Sequence, residues 1–375
     1  MKNERSGLYI HVPFCLSKCG YCSFYSIKSI GLMPEFIRAL KNEMEFYKNK
    51  FPSFDTIYIG GGTPSLLSIE QLDVIFEAIN KLFKIDSHAE ITMEVNPGDV
   101  SIDYFQGLRS LGVNRVNIGI QSFDDDILKF LGRRHTAKDS TAAMDSSRKA
   151  GFTNAGIDLI YGVYQQTISA WKRTLQKAVS FTAEHISCYQ LSLEARTPLY
   201  QKYYAEEIKL PAEEQQLEFF LSTAAQLEDA GYIHYEISNF ARNENLRSKH
   251  NMKYWRHAPY LGLGPAAHSF FGNKRWWNKS AVKTYIKDVS VGKIPVESSE
   301  ELSTEQLQLE TLFLGLRTKE GIDLQLYKNK YGRDLLEEKK ITIDSLLKDN
   351  LVEVKNGFLL PKLAGMAVAD SLALI

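Results

Sequence analysis

The sequence has no net charge. Its 375 residues contain 45 lysines and arginines and 45 aspartates and glutamates, and its isoelectric point is close to 7.1. A neutral chain has no overall electric field that attracts nucleic acid or an anionic membrane. We therefore expect neither nucleic acid nor a membrane surface as a default partner.

Long apolar runs are also absent. No stretch is long enough to span a bilayer, and the N-terminal segment MKNERSG is polar and leads directly into a predicted strand. This segment lacks the apolar core of a signal peptide, so we expect a cytoplasmic protein. Internal repeats and low-complexity segments are absent too.

Cysteine is scarce and unevenly distributed. The chain has four cysteines, and three of them, Cys15, Cys19 and Cys22, form a CxxxCxxC motif. An odd number of clustered thiols argues against paired disulfides, and thiols in a reducing compartment are more often metal ligands. The fourth, Cys188, falls within a predicted strand, where a buried structural thiol is the ordinary expectation.

The second CxxC motif of a structural zinc site is missing. Such a site takes four ligands, and this sequence offers only one cysteine cluster. Three thiolates from one loop would leave a cubane iron–sulfur cluster with one iron open to an outside ligand. A non-catalytic zinc protein remains an alternative, which colourless, zinc-loaded material after anaerobic purification would support.

From the first residues onward, short apolar runs rich in valine and isoleucine alternate with stretches of helical period. This pattern is typical of βα units around parallel strands. Pro34 opens a predicted helix that runs to about residue 49, and Ser68 is the predicted N-cap of the next helix. The predicted strands are 8–14, 56–59, 90–95, 115–120, 155–160 and 185–193. Six such units predict an α/β fold built on a partial TIM barrel, (β/α)6.

Beyond the sixth predicted strand the βα pattern fades. A helix is predicted over 211–231, and residues 289–303 are polar without periodicity, which predicts a linker. Short helical patterns follow, and the Asn356-Gly357 pair predicts a hairpin over 351–361. We therefore expect a barrel domain at 1–288 and a small helical, winged-helix-like domain at 289–375. In a neutral chain such a module favours packing or partner contact over DNA binding.

Polar residues are concentrated at the carboxyl ends of the predicted strands, where barrel proteins place their sites. The second to fifth strands carry, in order, the glycine run 60–62, Glu94, Gln121 and Asp158. An ionised carboxylate in an apolar strand needs a partner, which favours a functional role for Glu94 and Asp158 over ordinary surface positions. The glycine run lets backbone approach a ligand closely, although glycine-rich strand ends also bind phosphates.

The CxxxCxxC motif after the first strand, with Tyr21 just before the last cysteine, resembles the signature of the radical S-adenosylmethionine (SAM) superfamily. The resemblance implies that Cys15, Cys19 and Cys22 hold a 4Fe-4S cluster. Its fourth iron would be chelated by the amino and carboxylate groups of SAM. The resemblance also implies a reductant for the cluster, whose electron can cleave the sulfonium and generate a 5′-deoxyadenosyl radical.

Further motifs between residues 9 and 269 narrow the resemblance. YIHVPFC, GGGTPS, QSF, LGRRH, DLIYG and HNxxYW together resemble the oxygen-independent coproporphyrinogen III oxidase family. Carried over position by position, the resemblance implies a SAM-binding set of Tyr9, Gly61, Gly62, Thr63, Glu94, Gln121, Arg133 and Asp158, with Tyr21 beside the cluster. Glu94 suits the amino group of SAM, and Asp158 or Gln121 suits its ribose hydroxyls.

One departure separates branches of this family. Its oxidases extend the cysteine motif to CxxxCxxCxC, and the position of the extra cysteine is occupied here by Phe24. Together with HNxxYW, this loss resembles the HemW branch of haem chaperones. The resemblance implies a protein that binds haem and passes it to unidentified acceptor proteins, with peripheral membrane contact only where an acceptor is membrane-bound.

Two catalytic alternatives stay open. One is oxidative decarboxylation of coproporphyrinogen through the deoxyadenosyl radical, and the other is a different radical SAM reaction. The sequence leaves the question of an enzyme undecided and favours a non-catalytic role, because residues of the oxidase motif are missing here.

The haem ligand is a separate prediction. The resemblance places His250 of HNxxYW as the candidate iron ligand, since a neutral imidazole is a common axial ligand of haem iron. Tyr254 and Trp255 could supply flat apolar surface for the porphyrin, and His268 in the GPAAHS stretch is a second candidate ligand. The alternative is that His250 and the two aromatic residues simply pack a segment against the barrel.

Overall fold

The computed structural model describes residues 5–372, whose strands form one large sheet and one small sheet. The large sheet contains β1 Ser6–Val12, β2 Phe54–Gly61, β3 Ile85–Val95, β4 Arg115–Gln121, β5 Ala155–Tyr161, β6 His185–Gln190, β7 Ile233–Glu236, β8 Asn239–Ala241, β9 Tyr260–Leu263, β10 His268–Phe271, β11 Lys274–Asn278 and β12 Val296–Glu301. The small sheet contains β13 Ile322–Asp323, β14 Val352–Lys355 and β15 Phe358–Pro361. Separate clusters of buried apolar side chains pack against the two sheets.

The first six strands run parallel in the order β1 to β6, as the predicted barrel requires. In register, Leu8 lies opposite Ile57, and Ile57 lies opposite Ile91. Among the described strands, β9 to β12 extend the sheet beyond β1, and β8 and β7 extend it beyond β6, so these strands do not close a ring. The predicted partial (β/α)6 barrel is confirmed, although β6 ends at Gln190 rather than at residue 193.

Helices fill most connections between the strands. They are α1 Met33–Tyr47, α2 Ile69–Leu82, α3 Ile102–Ser110, α4 Asp125–Leu131, α5 Ala137–Lys149, α6 Ile168–Ser180, α7 Pro198–Tyr204, α8 Glu213–Asp229, α9 Lys249–Trp255, α10 Val282–Ser290, α11 Thr304–Gly315, α12 Leu324–Tyr331, α13 Leu335–Glu338, α14 Lys340–Lys348, α15 Leu363–Ala367 and α16 Ala369–Leu372. The predicted N-cap of α2 is confirmed, because Ser68 Oγ accepts a hydrogen bond from Gln71 N–H at 3.3 Å. Such a cap stabilises a helix by about 1 kcal/mol.

Side chains alternate between the two faces of β1, which separates the core from the barrel interior. Leu8, Ile10 and Val12 are fully buried in the main apolar core. Tyr9 and His11 lie on the other face, with the Tyr9 hydroxyl 3.1 Å from His11 Nδ1. Burying an aliphatic side chain contributes about 2 kcal/mol, so the face with Leu8, Ile10 and Val12 stabilises the packing of the sheet on its helices. The face with Tyr9 and His11 places polar groups inside the barrel.

Residues 289–303 do not form the predicted linker. Helix α10 extends to Ser290, and β12 pairs antiparallel with β11, with Trp276 opposite Ser299. Strand β12 is an edge strand whose residues are mostly exposed, so it needs no alternation of apolar and polar residues. Sequence periodicity alone could not reveal it. The division into domains after residue 288 stays a prediction.

The C-terminal part combines helices α11 to α16 with the small sheet. The predicted hairpin is confirmed, since β14 and β15 are joined by Asn356 and Gly357 with φ angles of 53° and 81°. Glu320 links this part to the barrel through ion pairs of 2.8 Å with Arg247 and 2.6 Å with Arg256. Within residues 5–372, no helix is long and apolar enough to cross a membrane.

Candidate metal and cofactor site

The cysteine loop follows β1 at the carboxyl end of the parallel strands. Cys15 N–H donates to Ile27 O at 3.0 Å, and Ile27 N–H donates to Pro13 O at 2.8 Å. In the middle of the loop, Gly20 N–H donates to Leu131 O at the end of α4, at 3.1 Å. The loop is thus fixed both to itself and to a helix of the barrel.

The thiols of the cysteine motif share one pocket of about 200 Å³. The pocket is lined by Cys15, Cys19, Cys22, Tyr21, Gly62, Thr63, Asn96 and Arg133, among others. Thr63 Oγ1 donates a hydrogen bond to Cys15 Sγ at 3.3 Å, and Arg133 Nη1 donates to Cys19 Sγ at 3.6 Å. The chain therefore supplies sulfur ligands together with donors that stabilise their charge.

The thiols are not arranged around one point as the ligands of a single metal ion would be. Within residues 5–372, no three His, Cys, Asp or Glu side chains lie close enough together to hold a single metal ion. A zinc site would bring its sulfur atoms to about 2.3 Å from one centre. Burial raises the pKa of the Cys22 thiol, and a bound cationic metal would favour its thiolate.

The glycine run after β2 lies directly against the end of β1. A Cβ atom on Gly62 would lie 2.7 Å from Phe14 O and 2.9 Å from Val12 O. Gly61 has a φ of +110°, a conformation that residues with side chains rarely adopt. The packing of the strand ends therefore requires glycine at these two positions. This requirement is separate from the close approach to a ligand that the sequence predicts.

Glu94 lies inside the barrel with both carboxylate oxygens hydrogen-bonded. Tyr58 OH donates to Oε1 at 2.7 Å, and Gly61 N–H donates to Oε2 at 3.2 Å. Burial raises the pKa of Glu94 to about 7, against the opposing effect of these two hydrogen bonds. A cationic amino group beside Glu94 would offset this effect of burial and favour the carboxylate form.

Asp158 on β5 contacts the neighbouring strand β4 inside the barrel. Asn117 Nδ2 donates to Asp158 Oδ2 at 2.6 Å, whereas Asp158 Oδ1 is buried without a partner of ordinary hydrogen-bond geometry. Burial raises the pKa of Asp158. The Ser187 hydroxyl on β6 also hydrogen-bonds the Asp158 carboxyl and opposes this rise. The remaining capacity of Oδ1 would suit a hydroxyl or amino group.

Gln121 and Arg133 meet beside Gly119 of β4. Arg133 Nη2 donates to Gly119 O at 2.8 Å and to Asn96 Oδ1 at 2.5 Å. Gln121 has a φ of +66°, an uncommon value for a residue with a side chain, and strain of this kind is often found at functional sites. Both side chains therefore lie at the same end of the barrel as the thiols.

His250 lies at the opposite end of the barrel. Helix α9 packs beside the amino ends of β1 and β2, and the Glu90 carboxylate accepts from His250 N–H at 3.1 Å. The side chain is 1% exposed, with Nδ1 2.8 Å from Thr56 Oγ1 and Nε2 2.9 Å from Tyr254 OH. Burial lowers the pKa of His250 to about 3. The structure thus does not bring His250 to the thiols.

The remaining candidate residues lie at three places in the fold. Tyr21 and Thr63 line the thiol pocket, and Tyr9 lies deeper, with its ring 6.3 Å from the His250 ring. His268 is exposed on β10.

The sequence prediction did not include Tyr58, Asn96 and Asn117. Asn96 could have been found from its place just after β3, whereas the inward direction of Tyr58 and Asn117 follows only from strand alternation.

Residues 9–178 match the family model of the Radical SAM superfamily, and residues 302–368 match that of the HemN C-terminal domain. The heme chaperone HemW of Bacillus subtilis is 38% identical over 332 residues, which cover 87% of each chain. The heme chaperone HemW of Lactococcus lactis is 33% identical over 362 residues, 96% of this chain and 92% of the relative.

A solved structure shares the fold. The coproporphyrinogen III oxidase HemN of Escherichia coli, described as a radical SAM enzyme, superposes with a TM-score of 0.86 at 23% identity. The alignment covers 99% of this chain and 90% of that protein. At 23% identity this similarity establishes the fold and says nothing about the activity of this chain.

Proposed function

The chain belongs to the HemW family of the radical SAM superfamily, and from this premise we propose that it is a haem chaperone that carries a 4Fe-4S cluster and SAM. In this role it binds haem and passes it to acceptor proteins. One observation carries the proposal: relatives named as heme chaperones match this chain over 87% and 96% of its length.

Phe24 supports a role other than oxidation. Its side chain is 66% exposed on the loop that carries the cluster ligands, where the oxidase motif has a further cysteine. The remaining thiol of the chain, Cys188, is 2% exposed within β6 and cannot take that place. The site therefore has the means to hold a cluster without the additional thiol of the oxidases.

Cys15, Cys19 and Cys22 would hold the cluster, which when reduced supplies an electron to SAM. The Thr63 hydroxyl and the Arg133 guanidinium donate to two of the ligating sulfur atoms. Such donors favour the more negative, reduced state of a cluster and so raise its potential.

The interior carboxylates would hold the cofactor. Glu94 would receive the amino group of SAM, and Oδ1 of Asp158 would accept from a ribose hydroxyl. The hydrogen bond from Tyr58 holds the Glu94 carboxylate in place before a ligand arrives. Less orientational freedom is then lost on binding, which favours affinity.

The predicted role of His250 as iron ligand stays a prediction. Ligation would remove its hydrogen bond to Thr56 or Tyr254, at a cost of about 1 kcal/mol each, and would require a buried side chain to become accessible. These contacts favour the alternative that the HNxxYW segment packs against the barrel at the amino ends of β1 and β2.

One anaerobic preparation of the full chain tests the proposal. We expect about four irons per chain with matching sulfide, stoichiometric haem binding by Soret absorbance, and no protoporphyrinogen from coproporphyrinogen, SAM and reductant. Protoporphyrinogen formation would replace the proposal with oxidase activity. Deoxyadenosine that depends on another added metabolite would indicate a different radical SAM reaction, and zinc without iron would remove the cluster.

A further inference from the structure

His268 differs from the other histidines in making no hydrogen bond through either ring nitrogen within the described structure. The chain has eight histidines. In each of the others a ring nitrogen has a hydrogen-bond partner: His11, His88, His135, His185, His234, His250 and His257. A metal ion binds a nitrogen lone pair, so His268 is the described histidine at which either ring nitrogen could bind one without losing a hydrogen bond.

His268 lies on the inward face of the sheet extension. In the pairing of β10 with β9, Phe270 is opposite Tyr260, so these two side chains share a face. The Tyr260 ring contacts the Tyr254 ring at 4.8 Å, and Tyr254 contacts His250 inside the barrel. Because side chains two residues apart in a strand share a face, His268 also points inward.

The start of β10 lies level with the middle of β1. Strand β9 runs parallel to β1, with Gly262 opposite Tyr9. Strand β10 returns antiparallel with Phe270 opposite Tyr260, so His268 begins it beside Gly262 and Phe271 finishes it nearer the amino end of β1. His268 is therefore level with Tyr9, one of the predicted SAM-binding residues.

The surroundings of His268 orient its ring. Trp277 on β11 is its partner in register, with ring centroids 5.7 Å apart and planes inclined by 23°. Burial of part of the ring and the nearby Arg275 guanidinium lower the pKa of His268, so the imidazole is neutral at neutral pH. The residue nevertheless remains exposed, so the ring stays open to a ligand.

We propose that His268 is the protein ligand of the haem iron, with Trp277 as the positioning residue that fixes its ring plane. This inference rests on the proposed haem chaperone function. His268 would hold the iron through its imidazole, and its exposed position would suit a haem that is to be passed to an acceptor protein.

The proposal is tested by haem titration of the cluster-loaded full chain under anaerobic conditions. Variants are His268→Ala, His268→Met, Trp277→Leu and, as matched control, His88→Ala, which removes another exposed histidine. Readouts are the Soret and visible bands, the low-spin electron paramagnetic resonance signal and the dissociation constant. Iron and sulfide content reports whether each variant is folded.

We expect His268→Ala to lose the iron–imidazole signature and to bind haem about tenfold or more weakly. His268→Met should show the bands of a thioether ligand, Trp277→Leu should keep the imidazole bands with reduced affinity, and His88→Ala should match the wild type. A wild-type spectrum and affinity in His268→Ala would overturn the assignment. Equal losses in His268→Ala and His88→Ala would overturn it too, since they would indicate unspecific binding to surface histidines.

The test separates the two levels of inference. If the wild-type chain fails to bind haem stoichiometrically, the chaperone function itself fails. If the wild type binds haem and His268→Ala binds it with the same spectrum and affinity, only the assignment of the ligand fails.

Discussion

Glu43 and Glu94 are buried carboxyl groups, and burial raises the pKa of each to about 7. Glu43 on α1 accepts hydrogen bonds from Gly264 N–H at 2.8 Å, Tyr285 OH at 2.6 Å and Asn278 Nδ2 at 2.5 Å. These partners come from separate elements, so Glu43 ties α1 to the loop after β9, to β11 and to α10. Glu94 instead lies beside the glycine run of the candidate cofactor site.

Replacing Glu43 by Gln should change how stability depends on pH. In the folded chain Glu43 keeps its proton up to about pH 7, whereas in the unfolded chain it ionises near 4.5. The folded state binds more protons between these values, so the contribution of Glu43 to stability falls by up to about 3 kcal/mol as pH rises through this range. The melting temperature of Glu43→Gln should therefore rise relative to that of the wild type between about pH 5 and pH 8.

The control for Glu43 is Glu45→Gln, which changes an exposed carboxyl on the same helix. Its melting temperature should follow that of the wild type at each pH. A constant difference in melting temperature between Glu43→Gln and the wild type would mean that Glu43 does not titrate in this range.

Replacing Glu94 by Gln should weaken SAM binding by about tenfold or more, because the amide cannot pair with the cationic amino group. The wild-type affinity should also fall below about pH 7, where the Glu94 carboxyl gains a proton. Equilibrium binding to anaerobic protein at acid and alkaline pH measures both effects. Glu77→Gln, an exposed change on α2, should leave affinity unaltered, and unaltered affinity in Glu94→Gln would exclude this contact.

At the scale of elements, the sequence predicted the six parallel strands because each contains a short apolar run that alternates with a stretch of helical period, although the ends of several strands differ from the prediction. It also predicted that Glu94, Gln121 and Asp158 share one end of the barrel, since parallel strands bring their carboxyl ends together. It could not place α9. The contacts that hold this helix join His250 to Glu90 and Thr56, 160 and 194 residues earlier in the chain, and no local pattern encodes them.

The junction of β1 and β2 should not tolerate a side chain at Gly62. In Gly62→Ala the new methyl group would contact backbone oxygens of Phe14 and Val12, which cannot move aside without parting the strands. We expect a loss of about 2 kcal/mol or more in stability and poor cluster assembly. Thermal unfolding and iron content after anaerobic reconstitution measure these effects.

Gly31→Ala is the matched control for that junction, because nothing lies within 4 Å of its added methyl group. It should match the wild type in melting temperature and iron content. Full cluster loading of Gly62→Ala would show that the strand ends have more room than the contacts indicate.

At the scale of the whole molecule, charged contacts join the C-terminal helices to the barrel beside α9. Glu320 bridges Arg247 and Arg256, and Glu310 on α11 lies 2.7 Å from His257 Nε2. Arg275 of β11 also contacts Glu310, at 3.1 Å. The C-terminal part is thereby attached to the segment just after HNxxYW and to the sheet extension that carries His268.

Removing the Glu320 charge should loosen this attachment. Exposed ion pairs contribute about 1 kcal/mol or less each, so Glu320→Gln should lower stability by about 1 kcal/mol and make the C-terminal part more accessible to protease. Limited proteolysis and denaturant unfolding measure the effect. Glu338→Gln removes an ion pair to Arg333 that lies within the C-terminal part, and it should leave the proteolysis pattern unchanged.

Helix α9 also affects the kinetics of the barrel interior. Its His250 ring packs on the Tyr58 ring, and the Tyr58 hydroxyl donates to Glu94, so α9 lies on the side of Glu94 away from the cysteine loop. A molecule that binds at Glu94 would therefore approach from the side of that loop, where Cys15, Cys19 and Cys22 would hold the cluster. We expect a cofactor bound at Glu94 to dissociate more slowly from the cluster-loaded chain than from the cluster-free chain.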